Sequence, residues 1–154
     1  MTIAAVNMQK FATVLNGGVA VLGTGASTVG ATAINVDGIA ADAKVCYTAG
    51  ANGGFVESLM VSTNDTAAVN LIVYKMEGAT VHHVDVVNIP IASGTNGVAP
   101  NVDVLAAIKG LPVDFKFRPY LQLRPNMTVK VAVLAAMTAN KILIAKSTGV
   151  DFSA

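Results

Sequence analysis

The sequence predicts an all-β protein, an antiparallel β-sandwich or barrel of about seven or eight strands with one short helix in a connection. Three stretches of the last forty residues carry that prediction. In FKFRPYLQL, residues 115–123, the apolar positions Phe115, Phe117, Leu121 and Leu123 lie an even number of residues apart. After the break Arg124-Pro125-Asn126, Met127, Val129, Val131 and Val133 again share one parity. A second break, Thr138-Ala139-Asn140, leads into a last short run, Lys141 to Ala145. A period of two places alternate side chains on opposite faces of a sheet, so these read as three strands joined by tight turns.

Upstream, Lys44–Thr48, Phe55–Val61, Ala67–Met76 and Thr80–Ile89 read as strands, separated by turn-forming Gly, Asn and Asp. In the third of these, Val69, Leu71 and Val73 share one face, and Asn70, Ile72 and Tyr74 the other. In the fourth, Val81 and His83 are opposite in parity to His82, Val84 and Val86. Residues 90–100 form a long loop. Asn101 is placed to cap a short helix over Val102–Lys109, with Val104, Leu105 and Ile108 as its apolar stripe and Gly110 closing it. Pro112 prevents continuation. No βαβ alternation and no fixed-period repeat occurs.

The first forty residues are rich in Ala, Gly, Val and Thr, with Lys10 and Asp37 as their only charges. They read as an arm, or as a hairpin of Phe11–Leu15 with Val19–Leu22 across Asn16-Gly17-Gly18, packed on the domain or on a neighbour. The sandwich domain then spans residues 41–154. The opening residues read as mature sequence: Lys10 is the first cation, and Asn16-Gly17-Gly18 interrupts the apolar run that a signal peptide needs.

Composition narrows the function. The chain has 154 residues, 53 % hydrophobic and only 12 % charged, the latter about half the usual ~25 %. That argues against disorder, and few charges remain to solvate a surface, which points to burial against other chains. A net charge of +1, without a basic block, offers nothing to nucleic acid or an anionic membrane. No run reaches the ~18–20 apolar residues of a membrane-spanning helix. Cys46 is the only cysteine, so no intrachain disulfide forms; in KVCYTAG it reads as a small buried residue rather than a reactive thiol.

The motifs that suggest chemistry fail on inspection. Gly23–Gly30 has Thr28 where a dinucleotide loop needs its third glycine, and Ala31 where a phosphate loop needs lysine. His82 and His83 are strand neighbours facing opposite ways and cannot share one metal. Asp85 shares a face with His83 and is placed to orient its ring, which is the only support for a small hydrolase. The carboxylates Asp37, Asp42, Glu57, Asp65, Glu77, Asp85, Asp103, Asp114 and Asp151 form no close acidic motif or calcium loop. Asn64-Asp-Thr66 and Asn126-Met-Thr128 match the glycosylation sequon at turns that favour Asn anyway. Phe115, Phe117 and Tyr120 read as core packing or a subunit interface, since a stacking platform usually brings Trp or a basic groove. No catalytic, metal or cofactor residue emerges.

Two passages carry a resemblance. STNDTAAVNLIVYKMEGAT, residues 62–80, resembles a segment of small phage virion proteins: a polar turn, an alternating strand ending in Tyr-Lys, then a glycine turn. Leu111-Pro112 followed by YLQLRPNMTVKVAVLAAMTANKILIAKSTGVDF is similar to their run of Leu strand, proline turn, alternating strand, Ala-rich turn and final strand, with Asn126 where glycine is usual. The resemblance implies a jelly-roll-like antiparallel sandwich and a non-enzymatic structural role. The particular expectation is a capsid decoration (cement) protein, homotrimeric, made in the host cytoplasm and bound to the major capsid protein on the virion surface. The competing expectation is a carbohydrate- or receptor-binding sandwich of a phage fibre or adhesin, using the loops 49–54 and 93–99.

Overall fold

A computed structural model describes residues 12–23 and 43–153. Among these it has nine strands and one helical turn: β1 Ala12–Leu22, β2 Lys44–Thr48, β3 Gly54–Thr63, β4 Val69–Glu77, β5 Thr80–Ile89, β6 Val102–Asp103, α1 Val104–Ala107, β7 Leu121–Leu123, β8 Thr128–Val133 and β9 Leu143–Phe152. They form two sheets, one ordered β1-β9-β3-β6 with β7 also on β3, the other β2-β8-β4-β5. Every pairing is antiparallel. With β7 set aside, the pairs β1/β9, β2/β8, β3/β6 and β4/β5 are nested like a long hairpin closed at β4–β5 and rolled up. That is the jelly-roll winding, and the expected fold class holds.

The alternation read from the sequence is what fills the sandwich. Val56, Leu59 and Val61 of β3, Leu71 and Val73 of β4, Val129, Val131 and Val133 of β8, and Leu143 and Ala145 of β9 are all buried in one cluster. Fully burying a side chain of this size is worth roughly 1.5–3 kcal/mol. The opposite face of β4 is also buried: Ile72, Tyr74 and Met76 join Ala132 in a second cluster, with Ala43, Val81 and Val86 packed against it. Burial raises the Tyr74 hydroxyl above its ordinary pKa. The middle of the β2-β8-β4-β5 sheet, around β4, is therefore apolar on both sides, unlike an antiparallel sheet with one solvated face.

Several boundaries differ from expectation. The stretch Ala12–Leu22 is one strand paired along its length with β9, with Gly17 opposite Thr148 and Gly18 opposite Ser147. The hairpin across Asn16-Gly17-Gly18 does not form there. Those glycines serve close approach: a β-carbon at Gly17 would stand 2.6 Å from the Ser147 carbonyl oxygen, and one at Gly18 would overlap the Cys46 carbonyl. Strand β9 runs to Phe152, well past Ala145. Its polar half still alternates, with Ser147 and Gly149 buried and Lys146 and Thr148 exposed.

The strand expected over 115–123 begins only at Leu121. Residues 113–120 fold back as a loop closed by the Val113–Pro119 bridge, because Asp114 captures backbone N–H groups that a ladder needs. The helix is capped by Asp103, not Asn101: its carboxylate accepts from the N–H groups of Leu105 and Ala106. Val104, Leu105 and Ile108 are buried as the stripe predicts. In β5 the register slips by one between Val73 and Tyr74 of its partner. Val81 and Val86, opposite in parity, consequently both reach the outer cluster, while Val84 packs on the main core.

The turns Arg124–Met127 and Thr138–Lys141 are as expected. Met127 N–H donates to Arg124 C=O and Lys141 N–H to Thr138 C=O, with Asn126 at φ 59° and Asn140 at φ 60°. Asparagine tolerates that left-handed conformation better than most residues.

Candidate binding surface

The surface that stands out is aromatic, on the outer face of the β1-β9-β3 sheet. Phe55 of β3 faces Gln122 of β7 in register. Its ring meets Tyr120 edge-on at 5.8 Å between centroids and Phe152 of β9, tilted, at 5.7 Å. Such contacts are favourable beyond the area they bury. The three rings floor a groove of about 400 Å³, whose further wall is the 113–120 loop with Phe115 and Arg118. Glu57 and Gln122 supply exposed polar groups along the floor. This volume suits a small ligand or a single inserted side chain.

The loop is a braced finger. Asp114 Oδ1 accepts from the N–H groups of Lys116 and Arg118, at 2.8 and 2.9 Å. Its Oδ2 accepts from Arg118 Nε at 2.9 Å and lies 2.8 Å from Nη2. The backbone closes beside it, with Asp114 N–H donating to Arg118 C=O and Phe117 N–H to Asp114 C=O. The Arg118 backbone N–H, with the guanidinium and the Lys116 N–H, holds the Asp114 carboxyl below the usual carboxylate range. At the tip, Phe117 adopts φ 59°. Phe115 is 86 % exposed and Phe117 85 % exposed. Lys116 Nζ lies 5.5 Å from the Phe115 ring centre. Phe115 and Phe117 are therefore not core residues. Of the other described aromatics, Tyr47 and Tyr74 are buried, so every described aromatic outside the core belongs to this groove or its finger.

A second groove of about 540 Å³ adjoins the first at Gln122 and Phe152. Glu77 lies 3.3 Å from Arg124 Nη1 and 3.7 Å from His82 Nε2, so His82 is an exposed neighbour of the Glu77–Arg124 ion pair.

The remaining candidates are scattered. Asp85 accepts from its neighbour Val86 N–H. Asp151 accepts from the Tyr47 hydroxyl at 3.0 Å and from Asn16 Nδ2 at 2.8 Å, tying β1, β2 and β9 together. Burial, with Asp151 beside it, pushes the Tyr47 hydroxyl far above its usual pKa. Cys46 is buried, donates to the Val129 carbonyl at 3.4 Å, and has its pKa pushed up to about 12 by burial, so its thiolate is strongly disfavoured. Asp65 is buried and accepts from Ala67 N–H, Thr138 N–H and the Thr138 hydroxyl. Asn64 Oδ1 accepts from Ile142 N–H. Among the described residues no three His, Cys, Asp or Glu side chains are grouped to hold a metal ion. The loop 24–31, together with Asp37 and Asp42, lies outside the described residues. Of the two loops expected to hold a glycan, 49–54 contributes Asn52 to the second groove, and 93–99 lines neither groove.

Sequence reasoning missed Phe55, Glu57, Gln122 and Phe152 as parts of one site, because only the sheet brings them together. A local signal for the finger was present: Asp114 and Arg118, four apart, lie between Pro112 and Pro119. No family model matches the chain, and neither the curated proteins nor the solved structures include a significant match.

Proposed function

We propose that the protein is a non-enzymatic structural component of a phage virion, a capsid decoration protein that self-associates and binds the major capsid protein through its surface. The observation that carries the reading is the finger: two phenylalanines are held out in solvent on a loop that Asp114 braces from within. Exposed aromatic side chains on a preorganised backbone lose little conformational freedom on docking, and aromatics are common anchors of protein interfaces. The low charge and jelly-roll winding agree with the reading, and the sequence resemblance points the same way. Repetition on a capsid lattice would multiply modest contacts. The test is mass spectrometry of virions purified from the phage that encodes this chain. The reading expects the protein at a copy number fixed by capsid symmetry, removable without loss of the shell; its absence from the virion would refute the role.

A second reading, a glycan-binding domain, is favoured by one observation: Phe55, Tyr120 and Phe152 beside Glu57 and Gln122 pair aromatic faces with hydrogen-bonding groups. A glycan array would support it if a hit is lost on Tyr120→Ala. Silence across the array would set it aside.

A further inference from the structure

The finger and the groove are complementary to each other, yet within one chain Phe117 does not line the groove. The tip presents Phe115, Lys116 and Phe117 in succession, all exposed. The groove presents half-buried rings with the exposed Glu57 carboxylate among them. Among the described residues Glu57 has no ion-pair partner, and Lys116 has only the Phe115 ring beside it. Asp114 and Arg118 satisfy each other inside the finger, leaving Lys116 as the cation on offer at the tip and Glu57 as the unmatched anion on the floor.

We infer that the finger of one copy docks in the groove of a second copy of this chain, with Phe117 seated against the Phe55, Tyr120 and Phe152 rings and Lys116 facing Glu57. Knob and hole sit side by side on one surface, so two copies can exchange fingers about a two-fold axis, or several can pass them round a closed ring. In either arrangement each copy gives one finger and receives one. The apolar knob supplies the burial, and the charge pair fixes orientation and disfavours misaligned docking. This inference deepens the proposed assembly role and rests on its self-association.

The test is sedimentation equilibrium of the full chain across a range of concentrations, with far-UV circular dichroism to verify folding. Wild type is expected to sediment as an oligomer and Phe117→Asp as a monomer with an unchanged spectrum, since this side chain is solvent-exposed in the single chain. Lys116→Glu and Glu57→Lys should each weaken association by about tenfold or more, and the double variant should recover most of it. A wild-type monomer would overturn the inference, as would a folded Phe117→Asp that remains oligomeric. Charge reversals that weaken association without mutual rescue would refute the Lys116–Glu57 contact. A Phe117→Asp variant that is still oligomeric and still coats phage heads would sink the finger–groove contact alone and leave the decoration role standing.

Discussion

Asp65 is where a single side chain holds two distant turns. Burial raises its pKa, but hydrogen bonds from the Thr138 hydroxyl, Ala67 N–H and Thr138 N–H outweigh this and hold it below its ordinary value. A carboxyl with a depressed folded pKa contributes stability that is fully present above its unfolded value, about 3.9, and is lost as pH falls through the folded one. Asp65→Asn should cost about 2–4 kcal/mol in urea unfolding at pH 7, because one of those N–H groups would then face an amide NH₂. The loss of stability between pH 5 and pH 2 should also be smaller in the variant. Identical pH profiles would show that Asp65 is not the linked group.

Gly149 is a second such point. A β-carbon there would overlap the Phe55 carbonyl and stand 2.9 Å from the Tyr47 ring. Gly149→Ala should therefore destabilise by about 2–3 kcal/mol in the same assay. The sequence showed Asn64-Asp65 as a turn and gave Gly149 no role. Thr138 lies 73 positions from Asp65 and the neighbours of Gly149 lie across a ladder, and a local pattern holds no record of that.

At the scale of elements, legibility followed the apolar alternation. Strands β2, β3, β4, β5 and β8 carry strong alternation or β-branched runs, and they were found where expected. The misses have separate causes, each lying in residues that an apolar count does not weigh. In 113–120 the apolar parity of Phe115, Phe117, Leu121 and Leu123 mimics a strand, but Asp114 draws the amides of Lys116 and Arg118 into a closed loop. In β1, Asn-Gly-Gly looks like a hairpin turn, while the fold uses those glycines to let β9 and β2 come near. In β9, alternation survives after Ala145 through the small inward residues Ser147 and Gly149, which an apolar count overlooks. Asp114→Ala should leave the sandwich folded and release the finger. Hydrogen exchange by NMR should then show the Lys116 and Arg118 amides losing protection while β8 amides keep theirs. Unchanged protection at those two amides would mean that the loop does not depend on Asp114.

At the scale of the whole molecule, the winding follows from nested pairing. The first strand needs the last, the second needs the eighth, and only the β4–β5 pair is local. Most contacts are thus distant in sequence, so folding is expected to be slow relative to a helical protein of this size. The fold class was readable because many short alternating strands without intervening helices admit few architectures. The candidate surface was half readable. The Phe115–Tyr120 cluster was legible in the sequence as core packing or an interface, and Phe115 and Phe117 turn out exposed; its partners Phe55 and Phe152 come from strands that only the rolled sheet makes neighbours.

The central proposal is that the molecule works by docking on a capsid. Its most direct test is co-sedimentation of purified protein with phage heads stripped of it. Saturable pelleting at a fixed number of copies per head, abolished by paired Phe115→Asp and Phe117→Asp substitutions in a chain that remains folded, is the predicted result. Protein that stays in the supernatant at every concentration would contradict the account, whereas saturable pelleting that survives both substitutions would overturn only the part given to the finger.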